Sequence, residues 1–175
     1  MHARASEVTE FNDELRELVR DMYETMDKAP GVGLAAPQIG VGLRVFVYDY
    51  DDEDGNPRRG EIINPILELG PISNEPADED TEVEGCLSAP GERFPLKRAD
   101  FVKISGLDLE QKKIEFEATG WFARIMQHEF DHLDGLLYLD RLADEWHEER
   151  KLMIEERGWG KPGISWLPGR DNLEG

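Results

Sequence analysis

Apolar residues recur near the start of the chain at intervals of three and four: Phe11, Leu15, Leu18, Val19, Met22 and Met26. That spacing is the stripe of an amphipathic helix, predicted over residues 10–28 and ended by Pro30 and Gly31. The periodicity then breaks. Residues 31–40, GVGLAAPQIG, are too rich in glycine for a helix and too poor in branched side chains for a good strand. LRVFVY at 43–48 predicts a short buried strand, a turn follows at 54–57, and 61–69 predicts a second strand with Pro65 at an edge or bulge. Residues 70–100 are dense in proline, glycine and acids and predict a long irregular segment, a kind that is functional or disordered in compact domains.

Alternation of apolar and polar residues returns at 101–107 and 113–118, a hairpin turned near 108–111. Thr119 is a suitable N-cap, and WFARIMQHEFDHL then places Trp121, Phe122, Ile125, Met126 and Leu133 at helical spacing. This predicts a largely buried helix ending near Gly135. A last helix is predicted over 143–157, followed by an irregular arm, about 158–175, that packs its tryptophans. There is no internal repeat and no linker. Strands and helices mix without βαβ alternation, so the expected class is α+β, in a single domain over residues 1–175 with mixed or antiparallel strands around the second helix.

Length adds little beyond that: 175 residues suit one domain with a sizeable core. Charge changes the picture more. Lys and Arg number 20 against 39 Asp and Glu, a net charge of −19. Thirteen acids and only Arg58 and Arg59 fall between residues 49 and 84, so −11 of that excess is local. The simplest reading is solvated loops; a partner-repelling surface or adaptation to high salt are alternatives. Stable nucleic-acid binding through general phosphate contacts is excluded, because the electrostatic contribution has the wrong sign. No apolar run approaches the roughly 18 residues of a membrane span, and MHARASEVTE lacks the apolar core of a secretory signal. With one cysteine, no intramolecular disulfide framework is possible, which fits a reducing, cytoplasmic setting.

Candidate chemistry centres on His128-Glu129-Phe130-Asp131-His132. Residues four apart share a helix face, so both imidazoles can reach one ion, with Glu129 beside them to handle a proton. Two histidines and two acids in an apolar helix are costly unless something satisfies them, and a metal would do so. A catalytic site of this type usually takes a third protein ligand. A metzincin would need histidine at position 138, where Tyr138 stands; a gluzincin-like metallopeptidase would draw on Glu148, Glu149, Glu155 or Glu156. The lone Cys86 is the other candidate, in acidic, turn-forming surroundings that give it no apolar packing role.

Three segments in order, Gly31-Val32-Gly33-Leu34-Ala35-Ala36-Pro37-Gln38, Glu84-Gly85-Cys86-Leu87-Ser88 and Gln127-His128-Glu129-Phe130-Asp131-His132-Leu133, resemble the peptide deformylase family, whose marks are GxGLAAxQ, EGCLS and QHExDHL. The likeness runs from about residue 7 to 142 and leaves the tail from Gly158 outside. It implies that Cys86, His128 and His132 hold one divalent metal and that Glu129 is the general acid/base. It also implies that the Gln38 side-chain amide and the Leu87 backbone N–H stabilise the oxyanion, and that Val32, Gly33 and Arg93 lie along the substrate cleft. The implied reaction removes the N-terminal formyl group from formylmethionine of nascent peptides and releases formate, with transient ribosome proximity. A metallopeptidase, or an inactive metal-stabilised binding module of the same fold, are the alternatives. Mixed sulfur and nitrogen ligation alone would favour Zn2+; the resemblance implies Fe2+, with Ni2+ and Co2+ as substitutes. The family usually carries a further stretch with an edge strand ahead of the position of His2, so that strand is expected to be replaced or shortened. Ala89 stands where a branched apolar residue is commoner, which is expected to enlarge part of the cleft.

Overall fold

The protein is seen in a computed structural model that describes residues 2–29, 31–52, 55–161, 163–168, 170 and 171. In chain order its elements are α1 (Asp13–Lys28), β1 (Gly33–Ala35), β2 (Val45–Asp51), β3 (Pro57–Leu69), β4 (Val83–Cys86), β5 (Ala89–Pro95), β6 (Phe101–Leu107), β7 (Lys113–Thr119), α2 (Gly120–Leu133) and α3 (His147–Arg157). β1, β2, β3, β6 and β7 form a five-stranded sheet in the order β1-β2-β3-β6-β7, and every neighbouring pair is antiparallel. β4 and β5 make a separate antiparallel hairpin. The α+β class holds.

Side-chain alternation along β2 and β3 explains the layering. Val45, Val47 and Ile63 face one way and bury against Leu15, Val19, Met22 and Met26 of α1. Phe46, Tyr48 and Ile62 face the other way, with Val102 and Ile104, and bury against Phe122, Met126 and Leu133 of α2. The sheet therefore separates the two helices, and α2 sits on the side where it can meet the β4–β5 hairpin.

Several sequence expectations are corrected at the level of local structure. α1 starts at Asp13 rather than residue 10, because Asn12 is extended and its side chain accepts the Leu15 N–H as an N-cap. Residues 33–35, too small to signal a strand, pair with β2 at the sheet edge, and Ala36–Ile39 follow as a 3-10 turn. Pro65 does lie at a bulge, as expected, between Ile63 and Ile66 of an interior strand, where its missing N–H is tolerated. The stretch 70–100, expected to be irregular, contains the β4–β5 hairpin, disguised by Pro90 and Pro95 and by Glu84, an acid at a buried position. Trp121 is 46% exposed rather than buried, with the Arg124 guanidinium 5.2 Å from its ring centre. A 3-10 turn, Asp144–Trp146, precedes α3, which ends at Gly158 with φ of 67°, a left-handed cap that glycine adopts without strain. Pro30 and Asp54, expected in a helix stop and a turn, lie outside the described residues.

The N-terminal residues are stitched on without a regular strand. Ser6 makes an isolated parallel bridge with Leu43, and the Ala5 N–H donates to Leu133 at the end of α2. At the β3 bulge Asn64 has φ of 52° and offers its side-chain amide as a surrogate peptide group. Its Oδ1 accepts the Val8 N–H at 2.8 Å and its Nδ2 donates to the Val8 carbonyl at 2.9 Å. Among the described residues no helix is long and apolar enough to cross a membrane.

Candidate metal centre and active site

The helical spacing of His128 and His132 brings their rings to a centroid separation of 4.8 Å, nearly perpendicular at 85°. The end of β4 delivers Cys86 to the same point, its Sγ 3.4 Å from Nε2 of His132. One ligand atom from each of these three residues lies within 4.8 Å of the others, and no other such group involving three or more His, Cys, Asp or Glu stands among the described residues. Glu148, Glu149, Glu155 and Glu156 are exposed and do not join it. Position 138 is occupied by a buried tyrosine whose ring stacks on His128 and whose hydroxyl donates to the Glu92 carbonyl at 3.0 Å.

Electrostatics favours a cation here. Burial pushes the Cys86 thiol up, but the imidazoles of His132 and His128 outweigh it and hold the group well below its usual range, as thiolate. Burial pushes His128 down, while the Cys86 sulfur and Glu84 raise it well above its usual value. One thiolate and two imidazoles, with Nδ1 of His128 already taken by Glu84, form a donor set suited to a divalent transition metal. Cys86 and His132 are almost wholly buried, so those donors have no water to turn to.

Beneath the ligands lies an ion network absent from the sequence expectations. Glu84 Oε2 accepts from His128 Nδ1 at 3.0 Å, and its carboxylate also receives Arg98 Nε and Nη2 at 2.8 and 3.0 Å and Arg124 Nη1 at 2.8 Å. Arg98 Nη1 continues to Asp131 at 2.6 Å, and Arg141 closes on the same carboxylate with two bonds of 2.6 Å. Burial pushes Glu84 up, yet the hydrogen bonds from His128 and Arg98 win and hold it far below the carboxylate range. An ionised partner of this kind fixes the tautomer and ring orientation of a ligating histidine. Asp131 is thus satisfied by arginines rather than by a metal, which corrects part of the cost argument made from the helix sequence. The available signal was Arg124, a charge set among Phe122, Ile125 and Met126 on an otherwise apolar helix face. Cys86, too, has apolar company that its sequence neighbours conceal: Ala89, Phe94, Leu96, Tyr138 and Leu139. The hairpin folds those residues around it.

Glu129 is 4% exposed, and its Oε2 has no hydrogen-bond partner in the protein. Burial pushes its carboxyl up to about 7, against the pull of the two imidazoles. Backbone crowds it from one side: a Cβ on Gly33 would stand 2.7 Å from Glu129 Cδ. Gln38 is oriented by its own oxygen, which accepts the Ala35 N–H at 2.8 Å. Its Nε2 then points at the turn, 3.9 Å from Cys86 Sγ and 3.2 Å from the Ser88 hydroxyl. A cleft of about 270 Å³ opens over these groups, with Val32, Gly33, Leu87, Arg93 and Trp121 on its walls. Every site residue expected from the sequence borders this cleft except His132, which is fully buried beneath it. Ala89 is fully buried in the cluster behind Cys86 and does not line the cleft.

Comparisons with known proteins bear on the family and the fold. The family model described as polypeptide deformylase matches residues 1–148. The chain is 54% identical over 160 residues to a peptide deformylase of Mycobacterium sp. (strain JLS), covering 90% of this chain and 81% of that one. It is 49% identical over 172 residues to peptide deformylase 2 of Corynebacterium efficiens, covering 98% and 89% of the two. Among solved structures, a Synechococcus elongatus peptide deformylase in complex with actinonin superposes with a TM-score of 0.77 at 33% identity, covering 95% of this chain and 86% of that one. With motifs, fold and relatives in accord, the chain belongs to the polypeptide deformylase family, metal-dependent hydrolases that remove the N-terminal formyl group from newly made proteins.

Proposed function

We propose that Cys86, His128 and His132 hold one ferrous ion and that Glu129, Gln38 and Leu87 carry out deformylation around it, within a single catalytic domain. The observation that carries this reading is the convergence of one sulfur and two ring nitrogens within 4.8 Å, with the buried Glu129 carboxylate alongside. When bound, a divalent ion supplies Lewis acidity that polarises the formyl carbonyl and brings the pKa of water towards about 7. Glu129 takes a proton from the attacking water and returns it to the leaving amine nitrogen. The Gln38 amide and the Leu87 N–H donate to the developing oxyanion, each worth on the order of 3 kcal/mol when well placed. Val32, Gly33 and Arg93 line the path of the peptide behind the formylmethionine, and Trp121 widens the apolar wall.

Thiolate ligation and a lone, reduced cysteine suit the cytoplasm, where formylmethionyl nascent chains are made. The net charge of −19 opposes any stable hold on ribosomal RNA, so encounters with the ribosome are transient. Formate release from a formylmethionyl tripeptide, with no internal cleavage of an unblocked peptide, tests the reaction; cleavage without formate would make the site a peptidase, and neither would make it a binding module. For the metal, protein purified without oxygen is expected to contain iron and lose activity in air, through loss of iron or oxidation of Cys86. Nickel- or cobalt-loaded protein should stay active in air. Anaerobic protein that carries only zinc and turns over as fast as an iron-loaded sample would overturn the ferrous assignment.

A further inference from the structure

The C-terminal arm lies beyond residue 148, where the family match ends, yet one of its side chains reaches the site. Trp166, half-buried, donates from its indole Nε1 to the carbonyl oxygen of Leu87 at 2.7 Å, across 79 positions of sequence. That carbonyl belongs to the turn between β4 and β5, which directly follows Cys86 and also carries the Leu87 N–H. The ladder slips at Gly85 and Cys86, so contacts from outside the hairpin must set the turn's orientation. Few are available. Gln38 reaches the Ser88 hydroxyl, and the Ser88 N–H turns back on Cys86 Sγ at 3.3 Å. The Leu87 side chain lies against Gly31, where a Cβ would stand 2.9 Å from Leu87 Cδ1. An indole N–H is a donor only, on a ring with two torsions, so its bond fixes direction as well as distance.

We propose that Trp166 is a positioning residue for deformylation: it anchors the Leu87 turn so that the Leu87 N–H meets the substrate carbonyl, which makes the arm a working part of the active site. The inference rests on the reading of Leu87 as an oxyanion donor. An oxyanion donor must sit within a few tenths of an ångström of its productive place, and the Trp166 bond adds a directional constraint that apolar packing of the turn lacks.

The test uses the full-length, metal-loaded protein and Trp166→Phe, which keeps an aromatic ring and removes the N–H. Formate release from formyl-Met-Ala-Ser gives kcat and KM, metal content is measured on the same samples, and amide hydrogen exchange is followed across the 84–90 segment. Expected are faster exchange at the turn, a roughly 3- to 10-fold lower kcat, KM within about twofold and one metal per chain. Unchanged exchange would overturn the role of Trp166 and leave the Leu87 reading standing. Faster exchange with unchanged kcat would overturn both, because the turn would have moved without consequence for the oxyanion. A kcat that falls only in step with lost metal would also overturn it, making the arm a support of Cys86 instead.

Discussion

Gly33 and Glu129 touch backbone to carboxylate: with a Cβ at position 33, Cδ of Glu129 would lie 2.7 Å away and Cγ 2.8 Å away. Only the missing side chain lets β1 run this close to the acid. Gly33→Ala is therefore expected to push the Glu129 carboxylate aside. Turnover should fall about 10- to 100-fold, the scale of an ångström's misplacement, with metal retained and about 1–3 kcal/mol of stability lost to overpacking. Steady-state formate release and thermal unfolding check this; unaltered kcat would mean that the carboxylate position is not critical.

Glu129→Gln keeps the shape of the side chain and removes its proton acceptor. Metal content should persist while kcat falls by about 10² or more. Full activity at full metal occupancy would remove Glu129 from the chemistry.

The structure also sets the direction of a titration. Before a cation is added, burial holds the Glu129 carboxyl near 7, so below that pH it is largely protonated and cannot accept a proton. A divalent ion among the neighbouring ligands favours the carboxylate and must lower this value. Carbon-13 NMR of glutamate-labelled protein, with Glu129→Gln for assignment, should show one carboxyl titrating near 7 in metal-free protein and moving to lower pH on metal addition. A Glu129 that titrates in the ordinary glutamate range without metal would contradict the described burial.

Cys86→Ala should abolish stoichiometric metal binding, measured on dialysed protein, and leave the hairpin cluster nearly intact because the substitution removes only sulfur. One tightly held metal in that variant would mean that another side chain completes the site.

Glu84→Gln probes the network under the ligands. It leaves Arg98 and Arg124, both 8% exposed, short of a buried counter-charge and gives Nδ1 of His128 a neutral amide in place of an ionised acceptor. Such a change typically costs about 3–5 kcal/mol, and losing the partner of a ligating histidine weakens metal binding about 10- to 100-fold. Denaturant unfolding and competitive metal titration give both numbers. A variant as stable as the parent with unaltered metal affinity would show that the arginines, not Glu84, organise the site.

The helices and the 101–118 hairpin could be read from sequence because their apolar spacing is local and regular. The candidate site was legible for a different reason: the spacing of His128 and His132 suggests a shared ion by itself, while Gln38 and the ligand role of Cys86 come from the resemblance of three short segments to one family. What escaped was set by tertiary context. β1 is made of Gly33, Leu34 and Ala35, residues with weak strand preference that pair because β2 lies beside them. The Glu84–Arg98–Asp131–Arg141 chain links positions up to 57 residues apart, and no periodicity reports such pairings. Trp166 reaches Leu87 from a glycine- and proline-punctuated tail that carries no pattern at all.

The β4–β5 hairpin shares no ladder with the five-stranded sheet, and two-stranded ribbons are marginal in water by themselves. What ties its Cys86 end to α2 is ionic: Glu84 to its arginines and His128, and the sulfur to whatever cation the histidines share. A metal there acts as a cross-link closing a loop of more than forty residues, between Cys86 and His132. Demetallation then loosens the ribbon without freeing it, because the Glu84 ties and the apolar cluster around Phe94 and Leu96 remain. A chelated sample should be nicked by protease first between residues 70 and 100, long before the sheet yields, so the lifetime of the protein under proteolysis becomes a clock for how long it keeps its ion.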